Sequence, residues 1–146
     1  MLMLARALIL TAATLAIWIH IVRWQAKDGQ LNTCQVGFVY DGDTVALKCG
    51  GREVTARIVG LDTPETRDAA CDAEFQAGKQ ATERLRELVT SGKVAYRRKG
   101  VDKYGRLLIN LSVDGTDVAD TLINENLAVA YRGGGRINWC QRLEAA

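Results

Sequence analysis

Residues 7–22, ALILTAATLAIWIHIV, carry no charged side chain. No other stretch constrains the fold as strongly, because a helix apolar on every side must be buried or lie in a membrane. At ~1.5 Å per residue it would be about 24 Å long, slightly short of a ~30 Å hydrocarbon core. Met1–Leu4 extend the span if Arg6 snorkels to the interface, where Trp18 and Trp24 are also at home. A core helix of the domain is the bland alternative. The N-terminal position and the polar linker AKDGQLNT favour a cleaved signal peptide or an uncleaved signal-anchor. No A-x-A cleavage site follows the apolar run, which favours the anchor. Arg6 is outnumbered by Arg23 and Lys27, so charge leaves the orientation open. The expected division is residues 1–30 as leader plus linker and residues 31–146 as one folded domain. That domain would be exported: membrane-anchored through residues 7–22, facing periplasm or extracellular space, or secreted if the leader is cleaved.

The whole chain of 146 residues is 48% hydrophobic and 25% charged, an ordinary globular composition that excludes disordered and collagen-like classes. Its net charge of +2 comes from 19 basic and 17 acidic side chains. The leader holds Arg6, Arg23, Lys27 and Asp28, so the domain keeps 16 of each sign and is formally neutral. Neutrality argues against a protein that holds nucleic acid by bulk charge. A single His makes His-rich zinc sites and Ser-His-Asp triads hard to build. Hydrolytic chemistry would run on carboxylates, arginines or cysteines.

Cys34, Cys49, Cys71 and Cys140 all follow the apolar run, and none forms a C-x-x-C motif. Cys34 and Cys49 flank two β-like runs joined at Asp41-Gly42-Asp43, so a hairpin would bring them together. Cys71 would then pair with Cys140. Four free thiols are the alternative, and an exported domain prefers the bridges.

Gln35–Tyr40, Val45–Lys48 and Glu53–Leu61 alternate and read as a meander, with Gly50-Gly51 as one turn. Pro64, the only proline, falls in a loop over Asp62–Arg67. Asp72–Thr90 is helical, with Phe75, Gly78, Ala81, Leu85 and Leu88 on one face. Val94–Arg98 and Leu107–Val113 are strands joined by a polar loop. Asp117 caps a helix over Val118–Asn126. Ala128–Tyr131 is a short extended piece before Gly133-Gly134-Gly135. The expected fold is α+β, a closed five-stranded barrel of the OB type with two to three helices, preceded by the N-terminal hydrophobic helix.

Two acidic clusters sit at strand ends, Asp41-Gly42-Asp43-Thr44 and Asp62-Thr63-Pro64-Glu65. Each alone is ordinary turn chemistry. In a meander they can share one end of the sheet, where carboxylates repel unless a cation lies between them. Oxygen ligands without His or Cys select Ca²⁺ or Mg²⁺. Arg97–Arg106 adds five basic residues and one acid, which alone reads as a solvated hairpin. Beside a cation site, its arginines suit a phosphodiester.

VYDGDTVAL, RIVGLDTPET and DKYGRLL, in that order and with a helix between the last two, resemble the signature stretches of staphylococcal nuclease (thermonuclease) domains. The resemblance covers about residues 35–131. It implies an OB-type barrel and Ca²⁺-dependent cleavage of DNA and RNA with little sequence preference. It places Asp43, Asp62 and the Thr63 carbonyl as Ca²⁺ ligands, with Asp41 supporting the ion's water shell. Glu65 matches the general base. Arg57 and Arg106 match the two arginines that hold the phosphate and stabilise the pentacoordinate transition state. Lys103 and Tyr104 match nucleotide-phosphate contacts, and Tyr131 matches a tyrosine that packs against the nucleotide. The chain departs from the family in two places. The loop after Glu65 is short, and the long C-terminal helix is missing or reduced to a stub, with Trp139 and a Cys71–Cys140 bridge as candidate substitutes. The expected protein is a nuclease acting on DNA, RNA or both, with no protein partner and as a monomer; a catalytically inactive OB-type nucleic-acid-binding module is the alternative.

Overall fold

A computed structural model describes residues 34–145. The apolar run 7–22 and the linker lie outside the described residues. Three strands form the expected meander: β1 (Gln35–Val39), β2 (Thr44–Cys49) and β3 (Arg52–Ile58), each antiparallel to the next. β2 is central, with Thr44, Val45, Ala46 and Leu47 all buried. Gly50 and Gly51 both take positive φ, 55° and 81°, as a two-residue hairpin turn of the I′ kind requires.

The strand expected over Glu53–Leu61 breaks in two. Val59 gives its N–H to the Ile109 carbonyl, and Gly60 turns the chain at φ 95° into β4 (Gly60–Asp62). Helix α1 (Asp72–Ser91) follows, then the antiparallel pair β5 (Val94–Val101) and β6 (Leu107–Val113). β6 lies parallel to β3, a pairing that needs a crossover, and α1 with β5 supplies it. A short β7 (Thr116–Asp117) pairs with β6. Helix α2 (Val118–Asn124) is capped as expected: the Asp117 carboxylate accepts from the N–H groups of Ala119 and Asp120. β8 (Val129–Tyr131) pairs antiparallel with β4, and the six-residue α3 (Trp139–Glu144) is the C-terminal stub.

The expectation of a closed five-stranded barrel is corrected. The main sheet runs β1-β2-β3-β6-β5 with β7 beside β6, and among the described residues no ladder joins β5 back to β1. Both edge strands carry register irregularities, at Val36/Phe38 and at Arg98/Gly100, and show mostly exposed residues. Helices close the core in place of a final ladder. Leu85 of α1 and Val118 and Leu122 of α2 join Val45, Leu47, Ile58, Ile109 and Leu111. On α1, Gly78, Ala81 and Leu85 face inward as expected, whereas Phe75 is half exposed with Lys79 over its ring.

Both disulfides form with the expected pairing, Cys34–Cys49 and Cys71–Cys140. The second spans 69 residues and fixes α3 to the start of α1. Replacing Cys71 and Cys140 by serine is expected to cost about 2–5 kcal/mol and lower Tm by on the order of 10 °C. A melting curve for the double variant that overlays that of the wild type would show that the bridge is not needed for stability.

Candidate active site

The two acidic turns meet. In the first, Asp43 gives its N–H to Asp41 Oδ1 at 3.0 Å, a side-chain turn that leads the chain into β2. Arg57 faces Thr44 across the β2–β3 ladder, which carries its guanidinium to Asp43. Nη1 donates to Asp43 Oδ1 at 2.8 Å, and Nη2 lies 3.8 Å from Asp62 Oδ1. One guanidinium therefore bridges the aspartates of both clusters. Asp43, Asp62 and Thr63 are each at most 2% exposed.

Asp43 Oδ2 is 2.7 Å from Arg57 Nη1 but is not aligned to accept its hydrogen, and it is buried without a hydrogen-bond partner. Burial pushes the Asp43 carboxyl up to about 7. Arg57 opposes that shift, and Asp41 adds to it. A buried carboxylate oxygen with no hydrogen bond, a second buried carboxylate that shares the same Arg57 guanidinium, and the buried Thr63 next to it in sequence are oxygen donors of the kind that suits a hard divalent cation. Asp43, Asp62 and Thr63 are the residues that would hold it, with Asp41 nearby. The carboxylates are not yet gathered tightly: no three of Asp41, Asp43, Asp62 and Glu65 bring an oxygen each within 4.8 Å of one another.

The loop after Asp62 is fixed against α1. A Cβ on Gly78 would lie 2.6 Å from the Glu65 carbonyl oxygen, so only glycine lets the helix approach this closely. Glu74, buried in the first turn of α1, accepts from the N–H groups of Glu65 and Ala70 at 3.3 and 2.8 Å. These contacts hold the backbone of Glu65 while its carboxylate reaches solvent.

Asp102 organises the β5–β6 turn. It accepts from the backbone N–H groups of Tyr104 and Arg106 and from Arg106 Nε, each within 2.9 Å. Lys103 Nζ and the Arg106 guanidinium lie 5.0 and 5.6 Å from the Tyr104 ring centre, and Tyr104 is 72% exposed. Arg106, Glu65, Asp41 and Thr44 line an open cleft of about 370 Å³, with Arg67 at its edge. The structure thus brings Asp41, Glu65 and Arg106 to one cleft, with Arg57 and the buried aspartates joined to it through Asp43. Tyr131 is outside the cleft lining. Its hydroxyl donates to the Gly134 carbonyl at 2.7 Å and ties down the glycine run.

Three residues make site contacts that the sequence does not signal, although Trp139 already stands out there as a substitute for the missing C-terminal helix. Arg136 Nε donates to Asp62 Oδ1, its Nη1 to Glu65 Oε1, and its Nη2 to the Thr63 carbonyl at 3.4 Å. Trp139 Nε1 donates to Asp62 Oδ2 at 3.1 Å. Both Asp62 oxygens are therefore bonded to the C-terminal segment. Glu74 is the third. In the sequence it is one more acid in a helix first turn, and its burial follows only from how the loop folds back. Arg136 gives no pattern at all, beyond standing alone after three glycines.

Fold and site together define a small α+β domain that sets buried carboxylates against arginines at an open cleft. The family described as staphylococcal nuclease homologue matches residues 55–144, and the chain belongs to that family. Endonuclease YncB of Bacillus subtilis (strain 168) is 45% identical over 96 residues, 62% of this chain and 44% of the relative. The Thermonuclease of Staphylococcus hyicus is 30% identical over 116 residues, 78% of this chain and 68% of the relative. The Micrococcal nuclease of Shigella flexneri is 27% identical over 147 residues, 94% of this chain and 78% of the relative. The chain spans less than half the length of the Bacillus relative.

Proposed function

We propose that this chain is a nuclease that hydrolyses phosphodiester bonds of DNA, RNA or both with low sequence specificity. The observation that carries the reading is the bridge from Arg57 to Asp43 and Asp62, beside a cleft lined by Glu65 and Arg106. Family membership and relatives named as nucleases support it.

The scissile phosphate lies between Arg57 and Arg106, whose forked donors match its non-bridging oxygens. Glu65 takes a proton from the attacking water. The water oxygen bonds to phosphorus, the opposite P–O bond breaks, and the leaving oxygen takes a proton from solvent. The two guanidiniums hold the extra negative charge of the pentacoordinate transition state, where preorganised donors act most strongly. Ca²⁺ held by Asp43, Asp62 and the Thr63 carbonyl, with Asp41 supporting its waters, would supply Lewis-acid polarisation of the phosphoryl group. Lys103 and Tyr104 contact the neighbouring phosphate and base, and Tyr131 packs on the nucleotide. The enzyme works as a monomer, exported and either anchored through residues 7–22 or released.

Incubating the full chain with plasmid DNA and with RNA, in Ca²⁺ and in chelator, tests this. Degradation in Ca²⁺ that chelator abolishes is the expected result. Binding without degradation supports the inactive binding module and overturns the proposal.

A further inference from the structure

Arg136 makes contacts that the reaction above does not use. Its guanidinium bonds to Asp62 and Glu65 and reaches the Thr63 carbonyl. Two of these groups are assigned to the cation and the third to the attacking water. One positive group thus sits on the oxygens that both would need.

The placement is built by the fold. Before Arg136, the Tyr131 hydroxyl holds the glycine run through Gly134. After it, Trp139 is 4% exposed and bonded to Asp62, and Cys140 is bridged to Cys71. The segment is pinned on both sides. The Arg136 side chain itself is 40% exposed, so it can swing to solvent while the pins hold. Arg57, by contrast, is 16% exposed and lies between Asp43 and Asp62.

Building on the nuclease reading, we infer that Arg136 is the site's resident counter-ion. It neutralises Asp62 and Glu65 when no divalent cation is bound, competes with the cation for the same oxygens, and so sets the affinity of the site for it. Carboxylates left together without a positive partner repel, so the guanidinium stabilises the ion-free protein. A divalent cation and a guanidinium at the same oxygens also repel, so the ion enters only as Arg136 moves off. Trp139 keeps one Asp62 oxygen in place throughout.

Calorimetric titration of the full chain with CaCl₂ tests this on wild type, Arg136→Gln and Arg136→Lys. Arg136→Gln keeps hydrogen-bonding capacity without charge and is expected to bind Ca²⁺ about tenfold more tightly. Arg136→Lys keeps the charge but cannot span both carboxylates, and is expected to fall in between. In chelator Arg136→Gln should melt below wild type, and saturating Ca²⁺ should close that gap, because the tighter site gains more from its ligand. Equal or weaker Ca²⁺ binding by Arg136→Gln overturns the inference. So does a wild type that binds no Ca²⁺, or a melting deficit that Ca²⁺ leaves unchanged, which marks a merely structural contact. If the variant binds more tightly but the wild type cleaves no nucleic acid, the nuclease reading fails and the counter-ion role stands. If cleavage depends on Ca²⁺ but the variant titrates like wild type, the reverse holds.

Discussion

Arg57→Ala is expected to lower the rate of phosphodiester cleavage by at least ~10²–10³-fold, the loss typical of one transition-state donor. Arg57 acts twice. In the proposed reaction its guanidinium holds the phosphate, and it is the only hydrogen-bonding arginine on Asp43 among the described residues. Removing it leaves Asp43 buried with less compensating charge, which also threatens stability. Arg57→Lys separates the two effects. It keeps a positive charge against Asp43 while losing the bidentate geometry, so the rate should still fall steeply as Tm changes little. Single-turnover cleavage of a labelled DNA and a melting curve on each variant give the comparison. Near wild-type cleavage by both would remove Arg57 from the machinery. Arg106→Ala offers a control with a different background, since its partner Asp102 lies in a surface turn.

Glu65→Gln is expected to reduce cleavage by a similar factor, at least ~10²–10³-fold, because the amide cannot take the proton from water. The replacement is nearly isosteric and the side chain is 30% exposed, so the fold should persist. The backbone contacts of Glu65 with Glu74 and Gly78 are untouched by the change. A turnover rate within a few fold of wild type would refute the base role.

Much of the candidate site's geometry is legible in the sequence because its parts are local. Asp41-Gly42-Asp43 is a turn by its residue types, and a meander's strand lengths return Asp62 to the same end. Asp117 declares itself as a cap, and Cys34 and Cys49 sit where a hairpin brings them close. The rest depends on contacts that no local pattern records. Arg136 meets Asp62 across 74 residues and Trp139 meets it across 77, with no periodicity to announce either. Glu74 reads as a solvated helix acid until the loop over Glu65–Ala70 folds onto it. The sheet's failure to close could not be read from strand count, because closure depends on how far β1 and β5 diverge once α1 and α2 have filled the core.

The Cys34–Cys49 bridge has a mechanical consequence. Any pull on the domain from the residues that precede Cys34 arrives first at that sulfur pair. The load passes through a covalent bond to Cys49 at the end of β2, beside the turn into β3. β1 lies inside the closed loop with the rest of β2, and the bridge bypasses both. An edge strand that would otherwise be the first to peel is thereby shielded from tension, and the Asp41-Gly42-Asp43 turn inside the same loop is kept in register with Arg57.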